Sequence, residues 1–156
     1  MSQCCSLCIM HLIERKARRY IKDNHKLKKD QCVVAATPLA KHFAEHVLHV
    51  PVKIVKNKAK KTDVVISSAT LNDCVAVFLE SLFIGKKQKQ TKELLLFSLI
   101  TDEELAVYCT HHKILFKPKE HKLKQLLYAL EKKHPGTMHS LYKSKEELKD
   151  IFGRTI

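Results

Sequence analysis

At 156 residues the chain has the size of one domain, and 45% of its residues are apolar, which excludes an intrinsically disordered protein. Three glycines and four prolines are too few for an all-β sandwich with many tight turns. The apolar runs are too short for a membrane-spanning helix, and a formal net charge of +13 favours polyanionic partners: RNA, DNA, acidic proteins or anionic lipid.

The first 31 residues form a basic segment. The opening MSQCCSLCIMHLIERKARR carries its charges after its short apolar stretch, so it does not have the pattern of a secretory signal. We therefore expect a cytoplasmic protein whose cysteines are free thiols or metal ligands. Residues 6–23 have the apolar spacing of a helix whose other faces are cationic.

From residue 32 onward, short apolar runs alternate with helical patterns. CVVAA (32–36), VPVKIV (50–55) and DVVIS (63–67) predict buried strands. ELLLFSL (93–99) is almost continuously apolar, which is typical of a strand covered on both faces. The alternation predicts an α/β fold with a mainly parallel sheet and helices on both faces.

The predicted helices of this region carry clear start signals. Thr37 and Pro38 open a helix after the first strand, and Thr70 can cap a helix over residues 71–84. Thr101 and Glu104 have the spacing of a capping box. Two more helices, from about residue 119, form a C-terminal pair. We therefore divide the chain into a basic segment, 1–31, and a single α/β domain, 32–156.

Three stretches of the chain, in order, resemble the PP-loop proteins that 2-thiolate the wobble uridine of tRNA. SATLNDCVAVFLESLFIGK is similar to their turn and helix ending in Leu-x-x-Gly-Arg/Lys. ELLLFSLITDEELAVYCTHHKILF resembles their stretch with paired glutamates and an Ala-Leu-Tyr pattern, and LEKKHPGTMHSLYKSKEEL resembles their terminal pattern. Over residues 62–148, this resemblance implies a PP-loop fold, of the adenine nucleotide alpha hydrolase type.

The resemblance also identifies functional residues that this chain lacks. Family members hold ATP on an SGGxDS loop, where this chain has Ala36-Thr37-Pro38. A phosphate cradle needs converging backbone N–H groups, but Pro38 removes one and Ala36 adds a side chain. The family's reactive cysteine is absent from FKPKEHKL, and Cys109 on the preceding helix is expected to be a buried thiol.

The chain therefore resembles the non-catalytic branch of the family, the cytoplasmic tRNA 2-thiolation protein 2 type, in a strongly reduced and degenerate form. This predicts a pseudoenzyme with no catalytic residues and no bound nucleotide. Zinc is the one candidate cofactor, because family members open with a CxxC zinc module and Cys5 and Cys8 have that spacing. A closed zinc site needs four ligands, and Cys32, His11 or His25 would have to complete it. The alternative is a tail of reduced thiols.

The basic residues fall into separate groups along the chain, with few compensating acids. We expect them to contact RNA phosphates, with binding that is salt-sensitive and weakly sequence-specific. A further basic group spans residues 117–124. The candidate RNA-binding residues are Arg15, Lys16, Arg18, Arg19, Lys58, Lys60, Lys61, Lys86, Lys87 and Lys89.

The leading functional hypothesis is a non-catalytic subunit for 2-thiolation of the tRNA wobble uridine, which binds tRNA and a catalytic PP-loop partner. Two alternatives stay open. One is a stand-alone RNA- or ribosome-binding protein on a degenerate PP-loop fold, and the other is an active tRNA sulfurtransferase with an unusual nucleotide site. Neither a membrane nor DNA is an expected partner.

Overall fold

The computed structural model describes residues 5–24, 33–50, 52–53, 64–85 and 93–151, of which 24, 52, 53 and 149–151 are described by their backbone alone. Short strands form a sheet in this part of the chain. They are β1 (Val33–Ala35), β2 (Val52–Lys53), β3 (Val64–Ile66) and β4 (Glu93–Leu94). All their pairings are parallel, in the order β2-β1-β3-β4.

The helices fall into two packed groups. They are α1 (Ser6–Asn24), α2 (Pro38–His42), α3 (Leu71–Ile84), α4 (Asp102–His111), α5 (Lys122–Lys133) and α6 (Thr137–Ile151), with a π-helical turn, Phe43–Val47, after α2. The larger core cluster joins α1, α2, the π-helical turn and α4 to the sheet, and a second joins α3, α5 and α6. The α/β prediction, with helices on both faces and a C-terminal helix pair, is confirmed. None of the described helices is long and apolar enough to cross a bilayer.

The predicted start signals of three helices are confirmed by their geometry. The Thr37 hydroxyl accepts a hydrogen bond from the N–H of Ala40, with Pro38 in the first turn. Thr70 and Thr101 each close a capping box, with Asp73 and Glu104 respectively. Helix α3 ends at Gly85, whose φ of 66° lies in the left-handed region that glycine tolerates best.

The predicted strand over residues 93–99 is wrong beyond its first two residues. β4 ends at Leu94, and the chain then turns, with Ser98 N–H donating to the Leu95 carbonyl and Ile100 N–H to the Phe97 carbonyl. Leu96, Phe97 and Ile100 are nonetheless buried. An apolar run indicates that its residues are buried, but it does not show that they form a strand. Here turns bury these residues after the strand has ended.

Helix α1 shares the main core with the α/β region. Met10, Ile13 and Ala17 are buried in the same cluster as the strands and α4. The Lys16 ammonium also donates to both carboxylate oxygens of Glu104 on α4, at 3.0 and 3.1 Å. The division at residue 31 stays a prediction, and the two segments that it separates are in close contact.

Candidate functional site at the carboxyl edge of the sheet

The strand order of the sheet marks one place where a ligand site is expected. From β1 the chain crosses to β2 on one side, and from β2 it crosses back to β3 on the other. Ligands of open α/β sheets bind at such a switch point, in the crevice beyond the carboxyl ends of the two diverging strands. In this chain the crevice lies between the segment after Ala35 and the segment after Ile66.

A cavity of about 240 Å³ lies at this edge. Thr37, Pro38 and Leu39 line it from the β1 side, and Ser68 and Asp73 from the β3 side. The extended segment after α4 completes the wall with Leu115, Phe116, Lys117 and Lys119. The cavity is therefore where the topology predicts it.

The walls of this cavity do not fit a nucleotide phosphate. The Thr37 hydroxyl is engaged as an N-cap, and Pro38 has no N–H to donate. After β3, the Ser67 hydroxyl accepts from the N–H of Ala69 at 3.4 Å, and the Thr70 N–H donates to Asp73 at 3.1 Å. These local hydrogen bonds use backbone N–H groups that could otherwise bind an anion.

A buried ionic cluster lies beside the cavity. The Lys124 ammonium of α5 donates to Asp73 at 2.6 Å and to Asp102 at 2.8 Å, and 4% of the residue is exposed. Asp102 also accepts from the hydroxyls of Thr70, at 2.5 Å, and Tyr128, at 2.7 Å. The Asp102 N–H donates to Asn72 Oδ1 at 3.0 Å. One network thus joins the N-termini of α3 and α4 to α5.

The electrostatics of this cluster favour the charged form of Lys124 and the neutral form of Tyr128. Burial disfavours the Lys124 ammonium, but hydrogen bonds and charge from Asp102 and Asp73 outweigh burial and raise the pKa of Lys124. Burial and the bond to Asp102 raise the pKa of the Tyr128 hydroxyl. At neutral pH, Lys124 is therefore an ammonium and Tyr128 a neutral phenol. Neither is a nucleophile or a base, and the cluster acts as an internal salt bridge.

A second, larger concavity of about 500 Å³ lies around the start of α5. Lys119, Lys122, Gln125 and Tyr128 are among the residues that line it, and Lys119 also lines the first cavity. Lys113, Lys117, Lys119 and Lys122, in and beside the segment that joins α4 to α5, are exposed. We call these four cations the basic strap. Lys117 and Lys119 line the edge cavity, and Lys119 and Lys122 line the larger concavity, so the strap is a candidate anion-binding surface.

The structure places the predicted cations of α1 in different environments. Arg15 is exposed, whereas Lys16 is paired with Glu104 across two helices. Arg18 donates to the Val47 carbonyl at 3.2 Å and to Glu14 at 3.3 Å, and Arg19 pairs with Asp23 at 3.4 Å. Their role in RNA binding stays a prediction. The remaining candidates, Lys58, Lys60, Lys61, Lys86, Lys87 and Lys89, lie outside the described residues.

The predicted metal ligands are partly brought together. The thiols of Cys5 and Cys8 are exposed, with their sulfur atoms 3.2 Å apart, and Cys32 lies outside the described residues. Within the part of the chain that the structure describes, no three His, Cys, Asp or Glu side chains surround a common point.

Cys109 is buried, as predicted, and burial raises its pKa to about 11.

Histidines cluster where the end of α2 meets the end of α4. The ring centroids of His46 and His112 each lie 4.7 Å from that of His42, whose Nε2 is 3.1 Å from the Tyr108 hydroxyl. Burial and the neighbouring imidazoles lower the pKa of His42 and of His112. The cluster thus joins His42 and His46, one helical turn apart in sequence, to His112 at the α4 C-terminus.

The sequence patterns do not identify the residues that organise the edge. Neither Asp73 nor Asp102 is predicted as a site residue, and Lys124 is included only in the basic group of residues 117–124. The available signal was the position of Lys124 in the apolar stripe of α5, one residue after Leu123 and three before the fully buried Leu127. A cation at such a position needs a buried counter-charge.

The sequence matches no protein-family model and no curated protein. Among solved structures, the fold is similar to that of the U34-tRNA thiolase NcsA from Methanococcus maripaludis, determined with its 4Fe–4S cluster. The TM-score is 0.63 at 14% identity, over 94% of this chain and 80% of that chain. A likeness at this identity establishes the fold. This chain has a PP-loop-like α/β fold.

The described residues do not fit an iron–sulfur cluster like the one in that neighbour. Protein-bound clusters are held by several converging cysteine thiolates. Of the described cysteines, Cys5 and Cys8 lie together and are exposed, whereas Cys74 and Cys109 are buried. Two adjacent thiols are too few for cluster ligation, and no chemistry of this chain is derived from a cluster.

Proposed function

We propose that this chain is a non-catalytic subunit for 2-thiolation of the tRNA wobble uridine, which binds tRNA and a catalytic PP-loop partner. The observation that carries the proposal is the fold, which is similar to that of a U34-tRNA thiolase over 94% of the chain. The motifs of residues 68–86, 93–116 and 130–148 agree with it independently.

The non-catalytic part of the proposal rests on the walls of the edge cavity. Pro38 has no N–H, and the Ala40 N–H already donates to the Thr37 hydroxyl, so two backbone donors that a phosphate cradle needs are not free. Lys124 neutralises charge on Asp73 and Asp102, the acids that could otherwise hold a divalent cation at this edge. The chain therefore contributes binding, and its partner contributes the nucleotide-dependent step.

The tRNA-binding part of the proposal rests on the basic strap. Lys113, Lys117, Lys119 and Lys122 are exposed in and beside the segment that joins α4 to α5, and all but Lys113 line one of the two concavities. A row of flexible ammonium groups suits the backbone of an RNA strand, because it contacts phosphates without reading bases. Lys117 reaches Glu120 only at 3.9 Å, with both side chains more than four-fifths exposed, so phosphate competes easily for this lysine.

Two measurements test the proposal. Cells that lack the protein should lose 2-thiolation of wobble uridine, as measured by mass spectrometry of digested tRNA. The purified chain should capture both tRNA and a catalytic PP-loop subunit. Intact thiolation in the deletion strain, or capture of neither partner, contradicts the proposal.

A stand-alone RNA- or ribosome-binding protein is the second candidate function. The placement of the basic strap favours it, because RNA contact there does not require a partner subunit. Association with ribosomes that persists after tRNA removal, together with unchanged thiolation, would support this alternative. Binding of ATP that is lost on substitution of Thr37 would instead support an active sulfurtransferase with an unusual site.

A further inference from the structure

A pair of thiols lies at the N-terminus of α1, in a geometry that the proposed function does not use. The Ile9 N–H donates to the Cys5 carbonyl at 3.1 Å, so Cys5 is the N-cap of the helix and Cys8 its third residue. The two sulfur atoms are 3.2 Å apart, and both residues are exposed. The pair is therefore both close together and accessible to a reagent in solution.

The two thiols are placed for disulfide exchange. Their sulfur atoms are in contact at 3.2 Å, and both residues are exposed to solvent. The first turn of α1 contains no acidic residue that would repel an incoming anionic disulfide. Two accessible thiols in contact, in a Cys-x-x-Cys arrangement, have the chemical features of a disulfide-exchanging pair.

We propose that Cys5 and Cys8 form a redox-active dithiol that is oxidised by a small-molecule disulfide, of which glutathione disulfide is the representative. The Cys5 thiolate attacks one sulfur of the reagent, forming a mixed disulfide and releasing one thiolate. Cys8 gives its proton to solvent and attacks Cys5 Sγ, which forms the Cys5–Cys8 disulfide and releases the second thiolate. The protein dithiol loses two electrons, and the reagent gains two and takes up protons as two thiols.

The position of the pair allows this closure without damage to the fold. The sulfur atoms must approach from 3.2 Å to about 2.05 Å. Cys5 is an N-cap, a position outside the regular helical backbone, so it can rotate while the rest of α1 is kept. The buried residues of α1 begin at Met10, beyond both thiols. Oxidation should leave the core intact.

A metal site is the competing use of the same thiols. Zinc in a structural site takes four ligands, whereas the described residues offer two thiols and no third ligand around the same point. Exchange needs only the two thiols. In a reducing compartment, a pair of this kind is oxidised transiently and acts as a sensor. This inference is independent of the tRNA proposal.

Thiol counting on the full-length protein tests the proposal. The reduced protein is equilibrated with glutathione buffers of increasing disulfide fraction, quenched with iodoacetamide and digested for mass spectrometry. We expect the peptide that carries Cys5 and Cys8 to lose two hydrogens, and reduced glutathione to restore it. In the Cys8→Ser variant, glutathione should remain attached to Cys5. In Cys5→Ser, the intramolecular disulfide should not form.

The Cys4→Ser and Cys32→Ser variants are matched controls, since each removes a neighbouring or competing thiol and should leave the Cys5–Cys8 disulfide unchanged. Circular dichroism of each variant confirms that it is folded. The proposal is overturned if the disulfide fails to form, or if it forms through Cys4 or Cys32. It is also overturned if one equivalent of zinc binds and protects both thiols from glutathione disulfide.

Discussion

Lys124 shows how a single residue can hold the carboxyl edge together. Its ammonium is buried, and burial of a charge is costly unless opposite charges and hydrogen bonds compensate it. Asp73 and Asp102, at the N-termini of two different helices, supply both. Loss of the lysine would leave these two carboxylates without their shared cation.

Lys124→Met should therefore destabilise the protein by about 3–5 kcal/mol, measured by urea denaturation. Lys122→Met, two residues earlier on the exposed face of α5, is the matched control and should stay within about 0.5 kcal/mol of the wild type. The double variant Lys124→Met and Asp102→Asn should recover part of the lost unfolding free energy, because it removes one of the two buried carboxylates that no longer have a cation beside them. A loss below about 1 kcal/mol for Lys124→Met would contradict this account.

At the scale of elements, α1 is attached to the remainder of the core by apolar packing more than by its charges. Ile13 and Ala17 are fully buried, whereas the Lys16–Glu104 pair is about one quarter exposed. Partly exposed ion pairs contribute little, because water and salt screen them. Helix α1, which lies in the predicted basic segment of residues 1–31, therefore also belongs to the hydrophobic core.

Ile13→Ala should cost about 2–5 kcal/mol of unfolding free energy, since it opens a cavity between α1 and the larger core. Leu7 lies in the first turn of the same helix, and its side chain is exposed. Leu7→Ala should therefore change the unfolding free energy by less than about 0.5 kcal/mol. Equal effects of the two substitutions in chemical denaturation would mean that α1 is not packed on the core.

The histidine cluster links α2 to the end of α4 and makes their contact pH-dependent. His42 faces His46 and His112, with Tyr108 in hydrogen-bond contact and the Glu14 and Glu45 carboxylates acting on it from α1 and the π-helical turn. The carboxylates favour protonation, but burial and the other imidazoles outweigh them. The folded pKa of His42 is therefore below its ordinary value.

A histidine with a lowered folded pKa contributes stability above its unfolded pKa and loses it as the pH falls through the folded pKa. We expect the unfolding free energy to fall between about pH 7 and pH 5, measured by urea titration at each pH. His42→Gln should flatten this dependence. His139→Gln, at an exposed position of α6, should leave it unchanged, and an unchanged slope in His42→Gln would refute the assignment.

At the scale of the whole molecule, the net charge of +13 sets the character of binding more than any single contact does. Affinity for RNA should fall steeply with salt, because each neutralised phosphate releases counterions. The surface cations that do not contact RNA add to long-range attraction without fixing a register. The slope against salt therefore counts the lysines that make contact.

Replacing Lys117, Lys119 and Lys122 by serine should weaken tRNA binding and reduce the salt slope by about 2 units, as expected for three lost phosphate contacts. Serine at Lys132, Lys133 and Lys143 removes the same charge from other exposed sites and should leave the slope unchanged. Fluorescence anisotropy with labelled tRNA at several salt concentrations measures both. Equal effects of the two variants would show that net charge, not the basic strap, determines binding.

Local sequence determined the helices, the parallel α/β class and the absence of an N–H at residue 38. Thr37, Thr70 and Thr101 cap helices through hydrogen bonds to residues three positions away, and Pro38 lacks its N–H in any fold. Such interactions depend on near neighbours in the chain, so their patterns can be read directly. The spacing of apolar residues likewise indicated which residues are buried. It did not indicate that the strand ends at residue 94 and that turns follow.

Only the tertiary structure decided which charges meet. Lys124 lies 22 residues from Asp102, and His42 lies 66 residues from Tyr108. Whether a lysine is solvated or buried in a salt bridge depends on what the fold packs against it, and a single sequence contains no record of that. The cavity at the carboxyl edge and the basic strap beside it have the same physical cause, because they depend on distances in space between groups whose types, but not positions, the sequence states.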